Sequence, residues 1–183
     1  MFSSDEATNL AQRFVYPQTG ALMRHYREGD FLDSQIAPVA DPSLQAADIA
    51  ILTFFTMPRW VLVLLWLRNA LVRPFGLKTD SETDYAPPTR EDLVSGKYRG
   101  VFAIDFLSEE EITFGTDDSH VDFRVSVMKT RSPSGHAAMS TWVHPHNVWG
   151  RFYLFAVYPF HKLIVWRMLA NLKDIEVPRP AQT

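Results

Sequence analysis

Three observations predict an α+β fold for this chain. Strand-like and helix-like runs are segregated along the sequence rather than alternating. The strand-like runs cluster between residues 100 and 144, joined by short turns rich in Ser, Asp and Gly. A long helical pattern then occupies the C-terminal part. At 183 residues the chain has the length of one domain with a core of its own.

The elements follow in order. Residues 1–29 are polar and mixed and are expected as an N-terminal extension, with a short helix over 6–14. Residues 30–39 (DFLDSQIAPV) form the first expected strand, although its alternation is poor. Asp41-Pro42 is a helix-start pattern, an N-cap acid before a proline at the first helical position. The helix is expected to run to 57, where Pro58 stops it. A second helix over 59–72 ends at Pro74 and Gly76.

Residues 77–99 (LKTDSETDYAPPTREDLVSGKYR) are polar and carry adjacent prolines, so they are expected as a long loop. Strands are expected over 100–107 and 111–115, separated by the acidic turn Ser108-Glu109-Glu110. Residues 120–130 give the clearest strand. There Val121, Phe123, Val125 and Val127 alternate with His120, Asp122, Arg124, Ser126 and Met128. A hairpin loop over 131–135 returns the chain as a strand over 136–144. From Asn147, a suitable N-cap, the helix is expected to continue to 172, with a kink at Pro159. A sheet wrapped around such a final helix is the helix-grip arrangement, and it places a cavity between sheet and helix. The domain bounds are then 30–174, with 175–183 as a tail.

Composition narrows the function. Hydrophobic residues make up 46% and charged residues 21%, ordinary values for a globular protein. The aromatic share of 13% is high and suggests a core or cavity lined with rings. A net charge of −3 gives no electrostatic footprint for nucleic acid. The absence of cysteine excludes disulfides, thiolate catalysis and cysteine-based metal centres. The N-terminal residues MFSSDEATNLAQRF lack an apolar signal core, so a cytoplasmic location is the expectation. The run 49–67 (IAILTFFTMPRWVLVLLWL) is interrupted by Pro58 and Arg59, too short on either side to span a bilayer. The chain is therefore not expected to be an integral membrane protein, while association with a membrane surface stays open.

Chemistry concentrates in residues 141–162, TWVHPHNVWGRFYLFAVYPFHK, where the last strand hands over to the final helix. If the hairpin pairs Thr130 with His136, then Asp122 faces His144, Arg124 faces Trp142 and His120 faces His146, all on one side of the sheet. A carboxylate beside an imidazole fixes its tautomer and raises its basicity. His144 and Asp122 are thus the candidate catalytic pair. His120, Arg124, Trp142, His146, Arg151 and Tyr153 are the candidate ligand-binding residues. A metal held by His120, His144, His146 and Asp122 is a further reading, and so is an ordinary polar outer face. The reading carried forward has no metal and no cofactor. Hydrophobic accounting favours Val121, Phe123, Val125 and Val127 toward the final helix. No phosphate loop or nucleophile elbow is present.

Three segments carry a resemblance to a known family: PRWVLVLLWLRNALVRPFGLKT (58–79), DDSHVDFRVSV (117–127) and HNVWGRFYLFAVYPFHKLIV (146–165). Through them the chain resembles an uncharacterised bacterial domain-of-unknown-function family of the START-like superfamily, alongside polyketide cyclases and birch-pollen-allergen proteins. In that family the domain often follows a short-chain-dehydrogenase-like domain. The resemblance implies the helix-grip fold and brings no settled activity. The expected function is binding of a hydrophobic or lipid-like small molecule in the cavity. The alternatives are a cyclase- or dehydratase-type enzyme using the His–Asp pair, and an interaction module for a dehydrogenase-like partner or a membrane surface.

Overall fold

The computed structural model describes residues 12–55, 88–98, 100, 102–118 and 121–173. The expected second helix at 59–72, most of the loop at 77–99, His120 and the tail at 175–183 lie outside the described residues. Six strands form one curved antiparallel sheet: β1 (Gln12–Arg13), β2 (Phe31–Pro38), β3 (Ala103–Leu107), β4 (Glu111–Asp117), β5 (Val121–Thr130) and β6 (His136–Pro145). Their spatial order is β1-β2-β6-β5-β4-β3. Among the described residues three α-helices accompany them: α1 (Ala46–Phe54), α2 (Arg90–Val94) and α3 (Val148–Ala170). The β5–β6 hairpin has the expected register, with Thr130 opposite His136, Asp122 opposite His144 and Arg124 opposite Trp142.

Side-chain alternation divides the sheet into two faces. Phe114, Val125, Val127 and Met139 point to the side where Ile49 and Ala50 of α1 and Val165, Met168 and Leu169 of α3 complete the main core. Val121 and Val143 continue this face toward the start of α3, against Tyr153 and Leu154. The valine and phenylalanine set of β5 therefore meets the long helix, and Asp122, Arg124 and Ser126 face the other way.

That outer face is covered too. Residues 12–29, expected as an extension, lie across it, with Tyr16, Ala21 and Leu22 buried. Where a helix was expected over 6–14, Gln12 and Arg13 instead pair with Ile36 and Gln35; residues 6–11 lie outside the description. Small polar residues form a rung beneath the segment, Ser34 beside Ser140, Ser140 beside Ser126 and Ser126 beside Thr113. Their small volume leaves room for Tyr16 and the 3-10 turn Ala21–Arg24. Tyr16 donates its hydroxyl hydrogen to Glu111, which also accepts from the Ala21 amide at 3.0 Å and the Ser126 hydroxyl at 2.6 Å. Burial, the bond to Glu111 and the nearby carboxylate push the Tyr16 phenol well above its ordinary value.

Helix boundaries depart from expectation in two places. Asp41 does not cap α1; it accepts the Ser43 amide at 2.9 Å and closes a separate turn. The helix begins at Ala46, after Gln45, whose amide is bonded to the Asp48 carboxylate at 3.0 Å. The expected loop at 77–99 contains α2, because Thr89 and Asp92 form a reciprocal capping box. The final helix starts as expected, with the Asn147 side chain accepting the Gly150 amide at 3.0 Å, and Pro159 lies within it.

Candidate functional site

The handover from β6 to α3 places the candidate residues. Pairing of Phe31 with Val143 brings Asp30, the residue just before β2, beside His144. The Asp30 carboxylate accepts from His144 Nδ1 at 2.5 Å, Trp142 Nε1 at 2.8 Å and the Arg27 amide at 2.9 Å. The tight turn that delivers Asp30 depends on Gly29, whose φ of 91° suits glycine. Burial alone would raise the Asp30 carboxyl, but the hydrogen bonds from His144, Arg27 and Trp142 outweigh it and hold the group below its ordinary value. An ionised Asp30 can only accept, so His144 carries its proton on Nδ1 and Nε2 remains as the basic atom.

Asp122 lies across the β5–β6 ladder from His144, but its carboxylate is 2.9 Å from His146 Nε2. The two carboxylates therefore flank His144 from opposite sides, and Asp30 makes the hydrogen bond. His25, Trp142, His144 and His146 form a row of rings on the outer face. Successive centroids are 5.4, 6.3 and 5.5 Å apart, with Trp142 and His144 nearly parallel.

Arg124 turns inward along the sheet. It is 8% exposed and lies 2.7 Å from Asp117 and 3.4 Å from Asp105. It also donates to the carbonyls of Thr116 and Phe123 at 3.1 and 3.0 Å. Its path crosses Gly115, where an added Cβ would lie 2.1 Å from Arg124 Cδ. The hydrogen bond from Arg124 is the main cause holding the Asp117 carboxyl below its ordinary value. With its Nε and Nη1 donors engaged at the strand edge, Arg124 acts as a clamp between β3, β4 and β5. His25, 3.0 Å from Asp105, ties the N-terminal segment into the same cluster.

On the helix side, Tyr153 packs with Val121 and Val143. Arg151 is exposed and makes no ion pair among the described residues. It borders an open groove of about 640 Å³ at the end of the sheet. One wall is the turn at 28–31 with His144 and Pro145; the other is Leu154, Phe155 and Tyr158 of α3. Of the eight candidates, His144 and Arg151 therefore share the groove. Asp122, Arg124, Trp142 and His146 occupy the outer face, Tyr153 the helix side, and His120 lies outside the described residues. Among the described residues no group of three or more metal-ligating side chains is placed to hold an ion.

Asp30 is the groove residue that sequence reasoning passes over. Its signal is weak: an acid at a strand start, whose partner strand lies at the other end of the chain. Tyr16 and Glu111 carry no local signal either, since a hydroxyl and a carboxylate 95 residues apart meet only when the N-terminal segment crosses the sheet.

A family model described as protein of unknown function, DUF2867, matches residues 25–168. The chain belongs to this family. The DUF2867 match runs from His25 through Met168 and thus spans the turn that delivers Asp30, all of β2 to β6 and most of α3. No curated protein and no solved structure matches the chain.

Proposed function

We propose that this DUF2867 domain binds a hydrophobic or lipid-like small molecule in the groove between the β2–β6 end of the sheet and the first turns of α3. One observation carries the reading: an opening of about 640 Å³ whose apolar wall of Phe31, Pro145, Leu154, Phe155 and Tyr158 ends at His144, Asp30 and Arg151. A concave apolar surface of this size with a few convergent polar groups is the general form of a small-molecule site. The START-like, helix-grip assignment is part of the same proposal and accords with a curved antiparallel sheet and a long C-terminal helix. His144 Nε2 and Arg151 would meet the polar end of the ligand, and the α3 side chains its apolar body.

The test is a thermal-shift series on the full chain with oleate and with 1-naphthol as probes. A ligand at a hundredfold excess over its dissociation constant stabilises by about 2.7 kcal/mol. At roughly 2–4 °C per kcal/mol for a chain of this size, Tm should rise by about 5–10 °C. Leu154→Trp narrows the groove and should abolish the rise while leaving the unliganded protein folded. No rise with either probe, or an equal rise in the variant, overturns the proposal.

The Asp30–His144 pair favours a second reading, an enzyme of cyclase or dehydratase type. A tautomer fixed by an ionised carboxylate leaves Nε2 as a general base beside the groove. In that reading Asp30 stands where the sequence suggested Asp122.

A further inference from the structure

The first four turns of α3 carry an apolar face that no described element covers. Val148, Trp149, Phe152, Phe155, Phe160 and Leu163 are all exposed, Phe152 at 69% and Phe155 at 82%. Their spacing of three, four, seven and eight residues gathers them on one side of the helix. Ala156 and Pro159, also exposed, fill the gaps in the stripe. Exposed aromatic surface of this continuity marks a site of association.

Charge indicates the partner. α3 contains no acidic residue, and its charged positions are Arg151, Lys162 and Arg167, with His161. Arg151 and Lys162 fall within about 20° of each other around the helix axis, along one flank of the stripe. The helix itself presents an aromatic face with flanking cations and no acid, Glu28 and Asp30 lying on the other wall of the groove that Arg151 borders. Such a face matches an anionic lipid surface, where rings enter the headgroup boundary and cations remain among the phosphates. A second copy of the chain fits less well. The stripe is about 24 Å long and one helix face wide, well below the roughly 800 Å² per partner of a stable interface. An antiparallel pairing of two such faces would also bring their cations to the same edge.

We propose that α3 docks this domain on anionic membrane surfaces, lying in the interface through its exposed Phe residues. This is peripheral attachment: no helix among the described residues is long and apolar enough to cross a membrane. The groove opens beside the same helix, with Phe155 shared between the two surfaces. The docking claim nevertheless stands without the groove.

Sedimentation of the full chain with vesicles tests it. Vesicles of phosphatidylcholine mixed with phosphatidylglycerol should carry the protein down, and phosphatidylcholine alone should do so weakly. Raised salt should weaken binding to the mixed vesicles. Phe152 and Leu163 do not line the groove, so Phe152→Ser with Leu163→Ser probes docking alone. The double variant should lose at least tenfold in vesicle affinity, because two apolar side chains no longer leave water. Arg151→Gln with Lys162→Gln should lose several-fold on mixed vesicles and little on neutral ones. This charge variant also keeps the test open should the serine variant fail to fold.

Three results overturn the proposal. The first is absence of sedimentation at any composition, as expected if the chain's own apolar segment 59–72 covers the stripe. The second is binding unaffected by both double variants. The third is a dimer in solution that the serine substitutions dissociate. Thermal shift by oleate or 1-naphthol reports on the groove separately, so either claim can fail without the other.

Discussion

The carboxylate of Asp30 accepts hydrogen bonds from His144, Trp142 and the Arg27 amide, and protonation would weaken all three. Its folded value lies below its ordinary one, so its contribution to stability is present above the unfolded value of about 3.9 and is lost as pH falls through the folded value. Urea midpoints should therefore drop below about pH 4, with a shallower acid slope in Asp30→Asn. At neutral pH that variant should lose about 1–3 kcal/mol, because donors that faced a carboxylate now face an amide. An unchanged acid slope would remove Asp30 from this role. The imidazole of this pair was legible in the sequence, because the β5–β6 hairpin is local and its alternation is clear. The carboxylate was not, because Asp30 and His144 stand 114 positions apart and meet only through the pairing of β2 with β6. Asp122 was legible as a neighbour of His144 in the ladder, but alternation cannot say which of two flanking acids accepts the imidazole hydrogen bond.

Among the elements, β4 and β5 are joined by a feature that depends on one missing side chain. Gly115 lies opposite Arg124, and a methyl group there would meet both Arg124 Cδ at 2.1 Å and the Phe123 carbonyl at 2.5 Å. Gly115→Ala should cost about 1–3 kcal/mol as the guanidinium is pushed off Asp117 and Asp105. A urea titration measures this, and a loss within error of zero would mean that the clamp adapts freely. Strand identities and the hairpin register followed from period-two patterning, and the α3 start followed from Asn147. The start of α1 was misplaced because an aspartate before proline can close its own turn as readily as it caps a helix, and here Asp41 binds Ser43. α2 was hidden in a polar stretch, since five residues are too few for helical periodicity to show.

For the whole molecule, the sheet is covered on both faces. Helices α1 and α3 pack on one and the 12–29 segment on the other, so the N-terminal segment belongs to the stability of the domain. Deleting residues 1–24 should uncover the Ser/Thr rung and Trp142 and strip Glu111 of the Tyr16 and Ala21 donors. The truncated protein should melt at least 10 °C lower, at a few degrees per kcal/mol, and bind more of a hydrophobic dye than the full chain does. A truncation that melts like the full chain would show that this cover is dispensable. The α+β class was readable because strands and helices are segregated, whereas the second cover was not, since residues 12–29 bury few large apolar groups. The pairing of β2 with β6 has another consequence, for biosynthesis. A ribosome delivers Asp30 and the strand after it long before their partner emerges. The sheet cannot close, nor the groove form, until the last hairpin has left the exit tunnel. Until then β2 presents an unpaired edge, so the newborn chain should be most dependent on chaperones over the interval between its second strand and its sixth.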